Sequence, residues 1–195
     1  MERAGRMSTQ TRRISGGSMD FTRLEHLNAL SRQICGTRPP ISELRRAVQA
    51  QCAGKDESSL LQLTGSVLAS GAFCVFFGGD LRDALCAAAC AVLVVESDRH
   101  VRPLLPNALV YTLLCSILTG LAAVLCGWAG LCTQTDKVMI GDIMLLIPGI
   151  ALTGALRDLF RGDTISGMLR LFEALLQAVV IACGFALAVY LGGML

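Results

Sequence analysis

The sequence predicts an all-α, polytopic membrane protein: about five transmembrane helices over residues 59–195, preceded by a short cytoplasmic part, residues 1–58, that holds a basic tail and a helical hairpin. Three observations predict it. Of 195 residues, 53% are hydrophobic and only 16% are charged, whereas a soluble domain averages about 25% charged residues. The mean hydropathy is +0.59. The polar residues are also segregated rather than interleaved: the first 58 residues hold ten of the seventeen Lys+Arg, and the remainder is mostly Ala, Leu, Val, Ile and Gly.

The first stretch, Met1 to Gly17, is basic and lacks an apolar core, so it is not a secretory signal and is read as a tail without fixed structure. Asp20 to Ile34 places Phe21, Leu24, Leu27, Leu30 and Ile34 near helical spacing, with Gly36 as the stop. After Pro39-Pro40, Ser42 is placed to cap a second helix whose Leu44, Val48 and Cys52 form an i, i+4, i+8 stripe. Two short amphipathic helices make a hairpin that must bury its stripe on something else.

Five apolar runs follow. Leu60 to Gly79 is twenty residues without a charge, matching the ~30 Å hydrocarbon core. Leu81 to Val95 is short at fifteen residues. Asn107 to Leu131 is the third run, with Trp128 placed for an interface. Val138 to Leu156 is the fourth, interrupted by Asp142 and Pro148-Gly149, and Leu171 to Leu191 is the fifth, with Glu173 near its start. Charge placement decides whether the short second run crosses. With five spans, the N-terminal part, Glu96–Pro106 and Arg157–Arg170 share one side and hold fifteen of the seventeen basic residues, leaving only Arg82 and Lys137 opposite. The Lys/Arg bias sets orientation, so five spans place the N-terminus in the cytoplasm and the C-terminus outside, in the cell membrane. A short span is accommodated by local thinning of the bilayer. Ala84, Ala88 and Ala91 in the second span, and Ser116-xxx-Gly120 and Ala123-xxx-Gly127 in the third, supply the small faces through which helices approach in lipid.

Several function classes fall away. A net charge of +2 gives no case for nucleic acid. Cys74, Cys86, Cys90, Cys115, Cys126 and Cys183 lie inside apolar runs, where thiols act as small hydrophobes. No CxxC occurs, and neither His26 nor His100 has a cysteine at ligand spacing, so neither a metal nor another cofactor is expected. An intramembrane serine protease needs a histidine in a span, and none is there. An aspartyl type needs two facing acids, and Met139-Ile140-Gly141-Asp142 has no matching acid in a second span. No catalytic residue is assigned.

The chemistry concentrates around the fourth and fifth runs. A charge at the centre of a membrane helix costs at least about 2.5 kcal/mol and persists where it is paired, hydrated or used. For Asp142 two readings stand: it reaches interfacial water or pairs with Lys137, or it faces a cavity and handles protons or substrate. Pro148 has no N–H for the carbonyl of Met144, so the helix is expected to bend there, leaving an acceptor free. Interrupted helices of this kind bind small polar solutes in transporters, and Thr153 follows with a hydroxyl. In the loop between the two runs, Gly162 permits a turn, Asp163 or Ser166 caps the fifth helix, and Gly167 allows close packing. Arg170 and Glu173 are i, i+3 neighbours able to pair. Arg157 and Arg161 either attract an anionic or zwitterionic solute or obey the positive-inside rule.

The stretch IGDIMLLIPGIALTGALRDLFRGDTISGMLRLFEALLQAVVIACG resembles the threonine/serine exporter (ThrE) family, in particular its YjjP-like five-span half-transporters. The match lies in an acid before "PG" and then an RD–GD–SG–R–EA–G series; FTRLEHLNALSRQI and SVLASGAFCVFFGG resemble the family more weakly. The resemblance implies export of a small polar metabolite, threonine or serine in some members and C4-dicarboxylates such as succinate in others, by a five-span half working with a smaller four-span partner. It carries over Asp142, Pro148, Gly149, Thr153, Arg157, Asp158, Asp163, Ser166, Gly167, Arg170 and Glu173 as positions of the transport path. Family members usually have a longer cytoplasmic segment before the first span, so the resemblance implies a chain that begins near the end of that segment. A subunit that stabilises a partner without transporting is the remaining alternative.

Overall fold

The computed structural model describes residues 2–3, 6–7, 21–37, 40–52, 59–105 and 107–194. The chain divides into two compact units, Met1–Asp56 and Glu57–Leu195. In the first, β1 (Glu2–Arg3) pairs antiparallel with β2 (Arg6–Met7), a short pairing within the stretch read as an unstructured tail; the rest of that tail lies outside the described residues. The hairpin follows as α1 (Phe21–Thr37) and α2 (Ile41–Cys52), which pack on each other. Their half-buried apolar residues are Leu27, Leu30 and Ile34 on α1 and Leu44 and Ala47 on α2. Ser42 does not cap α2, because the helix already starts at Ile41 behind Pro40, whose carbonyl accepts from the N–H of Glu43 and Leu44.

The second unit is a helical bundle: α3 (Ser59–Phe76), α4 (Leu81–His100), α5 (Ala108–Trp128), α6 (Thr135–Leu146), α7 (Gly149–Phe160) and α8 (Thr164–Met194), with one 3₁₀ turn at Arg102–Leu104. α3 and α4 form a hairpin, α6 packs on both, α5 packs on α4, α6 and α8, and α7 packs on α8. One apolar cluster joins Cys74, Cys90, Ala123, Val138, Met139, Ile181 and Phe185 from five helices, and a smaller one joins Val94, Tyr111 and Cys115.

The bundle is inverted relative to a soluble protein. Its large apolar side chains point outward, with Leu68, Phe76, Leu118, Val179 and Tyr190 all at least half exposed, while its interior holds small and polar residues such as Ser70, Ala87, Ser116, Thr119 and Ala188. Lipid removes the hydrophobic drive between helices, so small residues that permit close approach take over. A Cβ on Gly184 would sit 2.5 Å from the Cβ of Ser116, which brings α8 against the Ser116 face of α5.

α3, α5 and α8 are long and apolar enough to cross a membrane; α6 with α7 is a fourth crossing if the bent pair is one span. α4 reaches twenty residues, about 30 Å at ~1.5 Å per residue, five residues longer than the run predicted at 81–95. Its added turn carries Glu96, Asp98, Arg99 and His100, which is why hydropathy alone hides it. The fourth run is two helices rather than one kinked helix. α6 ends at Leu146, Ile147 is extended (φ −61°, ψ 128°), and α7 leaves at 55°. A residue before proline is driven out of the helical region, and proline then withholds its N–H, so the two effects add at one point.

Candidate functional site

Asp142 lies on α6, about 10 Å along the helix from its first residue at 1.5 Å per residue. It is fully buried. Its Oδ1 accepts a hydrogen bond from the Ser70 hydroxyl of α3 at 2.7 Å, and Ser70 Oγ also lies 3.1 Å from the carbonyl oxygen of Ala87 on α4. The single Ser70 proton is thus shared between two acceptors. Asp142 Oδ2 has no hydrogen-bond partner among the described residues, with Cys90 of α4 as its sulfur-bearing neighbour. Gly141 makes this contact possible: a Cβ there would lie 2.6 Å from the Ser70 carbonyl oxygen and 3.2 Å from Cys74 Cβ. The pairing with Lys137 considered from sequence does not form, since the Lys137 ammonium sits 3.2 Å from Asp136 at the start of α6.

Above Asp142 is a cavity of about 360 Å³ with a mixed polar and apolar lining, walled by Gln62 and Ser66 of α3, Val94, Val95 and Asp98 of α4, Arg102 of the 3₁₀ turn, Ala108, Tyr111 and Thr112 at the start of α5, Leu145 and Leu146 of α6, and Gln177 of α8. Its position relative to Asp142 follows from helix register. Ser66 lines the cavity and Ser70 touches Asp142; Val94 lines it and Cys90 neighbours Asp142; Leu146 lines it and Asp142 itself comes four residues earlier. On three helices the cavity wall and the buried carboxylate are one turn apart, about 6 Å. Asp142 does not line the cavity; it lies beneath its floor.

The mouth carries the charge. Arg102 Nη1 is 2.9 Å from Asp98 Oδ1, and the guanidinium lies 5.9 Å from the centroid of the buried Tyr111 ring, whose hydroxyl is beside the Asp98 carboxylate. Thr112 donates to its own helix at Ala108, while Gln62, Ser66 and Gln177 make no side-chain hydrogen bond among the described residues. Sequence reasoning missed these residues. The signal was present on α3, where Gln62, Ser66 and Ser70 recur every four residues in an otherwise apolar run.

The other residues singled out from sequence are distributed differently. Pro148 and Gly149 form the break between α6 and α7, directly after the cavity-lining Leu146. The Thr153 hydroxyl is turned back on the carbonyls of Gly149 and Ile150. Arg170 does not pair with Glu173, which is exposed; it bonds Asp158 Oδ2 of α7 at 2.8 Å, with Arg157 3.8 Å from the same carboxylate. Gly162 makes the turn with φ +92°, Asp163 directly precedes α8, Ser166 is exposed in its first turn, and Gly167 is buried against Leu159. Arg161 is exposed in the same turn. The Arg170–Asp158 bond and the Gly167–Leu159 contact hold α7 to α8, and none of these residues lines the cavity.

Apolar side chains facing outward mark a membrane protein, and the buried carboxylate beneath a solute-sized cavity, with a helix broken at its wall, is its candidate site. The family described as "Putative threonine/serine exporter" (ThrE) matches residues 1–192, and the chain belongs to that family. No curated protein and no solved structure matches the chain significantly.

Proposed function

We propose that the chain exports threonine or serine across the cell membrane, with Asp142 coupling that movement to protons. In this reading five helices cross the bilayer, the N-terminus and the α7–α8 turn face the cytoplasm, the C-terminus lies outside, and a smaller four-span membrane partner of the same family completes the path. The cavity then opens from the cytoplasmic side, where its mouth residues Asp98 and Arg102 and the α3 and α5 starts lie together.

One observation carries the coupling role: Asp142 is buried with a single shared hydroxyl donor, and one carboxylate oxygen has no partner. A buried carboxylate with so few donors has no evident structural duty, and an intramembrane acid is by default a functional group. Opening the α6–α7 break would bring cavity water to it, because the break at Ile147–Pro148 lies about one and a half turns along the chain from Asp142.

The test is export from cells that produce the chain together with its partner. Internal threonine and serine are expected to fall, and Asp142→Asn is expected to abolish uphill efflux at least tenfold while sparing downhill exchange. Full uphill efflux in Asp142→Asn removes the coupling role. Unchanged internal pools, with both proteins confirmed in the membrane, remove the exporter reading.

A further inference from the structure

We infer that the cavity walled by α3, α4, α5, α6 and α8 is a headgroup site for a zwitterionic α-amino acid, with Asp98 receiving its ammonium and Arg102 its carboxylate. The inference rests on the exporter reading and deepens it, because it chooses between amino acids and dicarboxylates.

The volume, about 360 Å³, is at the small end of ligand cavities, roughly 300–1,000 Å³. The lining holds one acid and one base, already in contact at 2.9 Å. A zwitterion carries the same two charges at short separation, so it can part this exposed-rim pair, whose Arg102 side chain is 61% exposed, and satisfy both members. Arg102 presents a planar fork suited to a carboxylate and is steadied from one side by the Tyr111 ring. A C4-dicarboxylate fits worse. It finds a single cation, Arg102, in the lining, and its second carboxylate is left against Asp98 with no opposite charge.

The wall beyond the ion pair suits a hydroxylated side chain. Ser66 and Gln177 have hydrogen-bonding groups unused by the protein, and Thr112 retains acceptor capacity after donating to Ala108. Such a wall favours serine and threonine over alanine and valine, since an apolar side chain would leave those groups dry and unpaired. Ser66 is also the lining residue one turn above Ser70, so a solute hydroxyl there adjoins the donor that holds Asp142.

Titration of the purified full-length chain in detergent with L-threonine, L-serine, L-valine and succinate tests the assignment. Threonine and serine should bind, valine at least tenfold more weakly, and succinate should not compete. Asp98→Asn and Arg102→Gln should each weaken threonine at least tenfold, with Asp98→Glu recovering most of the loss. If either neutral variant fails to fold, Ser66→Cys in the otherwise native chain replaces it, and threonine should protect that thiol from a maleimide while succinate does not. Threonine binding that ignores Asp98 and Arg102, or that leaves Ser66→Cys unprotected, overturns the site while the exporter reading stands. So does threonine export from cells with no binding to the purified chain. Succinate binding that weakens in Arg102→Gln and strengthens in Asp98→Asn overturns the zwitterion assignment. Absence of both binding and export of threonine and serine defeats the exporter reading itself.

Discussion

Two aspartates in this bundle have no exposed surface and are differently treated, one near the end of the bundle and one deep inside it. Asp83, at the start of α4, and Asp142, in the middle of α6, both have no exposed surface. Asp83 Oδ1 accepts from the backbone N–H of Thr133 (2.7 Å) and Gln134 (3.1 Å), and its Oδ2 from the backbone N–H of Asp80 (3.0 Å), with the Thr133 hydroxyl within 3.0 Å of both oxygens. It supplies acceptors to the N-terminal ends of two helices at once, its own and α6, where backbone donors otherwise go unpaired. Asp142 has no backbone donor: its partners are the Ser70 hydroxyl, shared with Ala87, and the weak thiol donor of Cys90 beside it. A carboxylate surrounded by backbone donors holds those helix ends in place; one with few donors carries no such structural duty. The donors around them, rather than exposed surface, distinguish the two acids.

The largest expected effect sharpens that contrast. Asp83→Ala removes the acceptor of three backbone donors at a helix junction, on residues that are themselves exposed, so a loss of about 1–3 kcal/mol is expected in thermal or denaturant unfolding of the detergent-solubilised chain. Asp142→Asn under the same conditions should lose less than about 1 kcal/mol, because an amide keeps the Ser70 contact without burying a charge. Equal losses in the two variants would make Asp142 a structural acid and break the comparison.

How much of this was legible in the sequence follows from what each signal depends on. Long apolar runs announce themselves locally, so α3, α5 and α8 stand out from composition, and the Pro148-Gly149 break needs only the chemistry of proline. The ThrE membership was legible too, from the motif around Asp142 to Glu173. The site was less so. Asp142 was singled out, but its partner Ser70 is 72 residues away, and no periodicity on α6 points there. Asp98 and Arg102 read as ordinary charges of a loop because the last turn of α4 is too polar to look like part of a span. The Arg157–Glu173 series drew attention by charge density, yet its contacts are made along the chain, between α7 and α8, and dense charge marked a clamp rather than a cavity.

An intermediate effect is expected at the contact that seats Asp142. Gly141→Ala places a Cβ 2.6 Å from the Ser70 carbonyl oxygen, and backbone cannot yield as a flexible side chain does. Overpacking of this kind costs about 1–3 kcal/mol. The α3–α6 spacing must widen, which lengthens the Ser70–Asp142 bond, so uphill efflux should fall along with stability. Gly149→Ala is the control on the same broken helix, since nothing lies within 4 Å of its added Cβ. If Gly141→Ala keeps both stability and efflux, the close approach of α3 and α6 is not what sets the geometry around Asp142.

The smallest effect belongs to the clamp. Arg170 is more than half exposed, and its 2.8 Å bond to Asp158 ties α7 to α8 near their turn. An ion pair with one partner in solvent contributes about 0–1 kcal/mol, so Arg170→Gln should lower the midpoint of thermal unfolding by no more than a few degrees, and added salt should narrow the difference from the native chain. That outcome would place Asp158 with Asp83, as an acid whose partners are structural. An efflux loss above tenfold in Arg170→Gln, with stability kept, would say the reverse: the α7–α8 turn would then act on the solute path, and hydrogen-bond donors would no longer be enough to tell the bundle's working acids from its supporting ones.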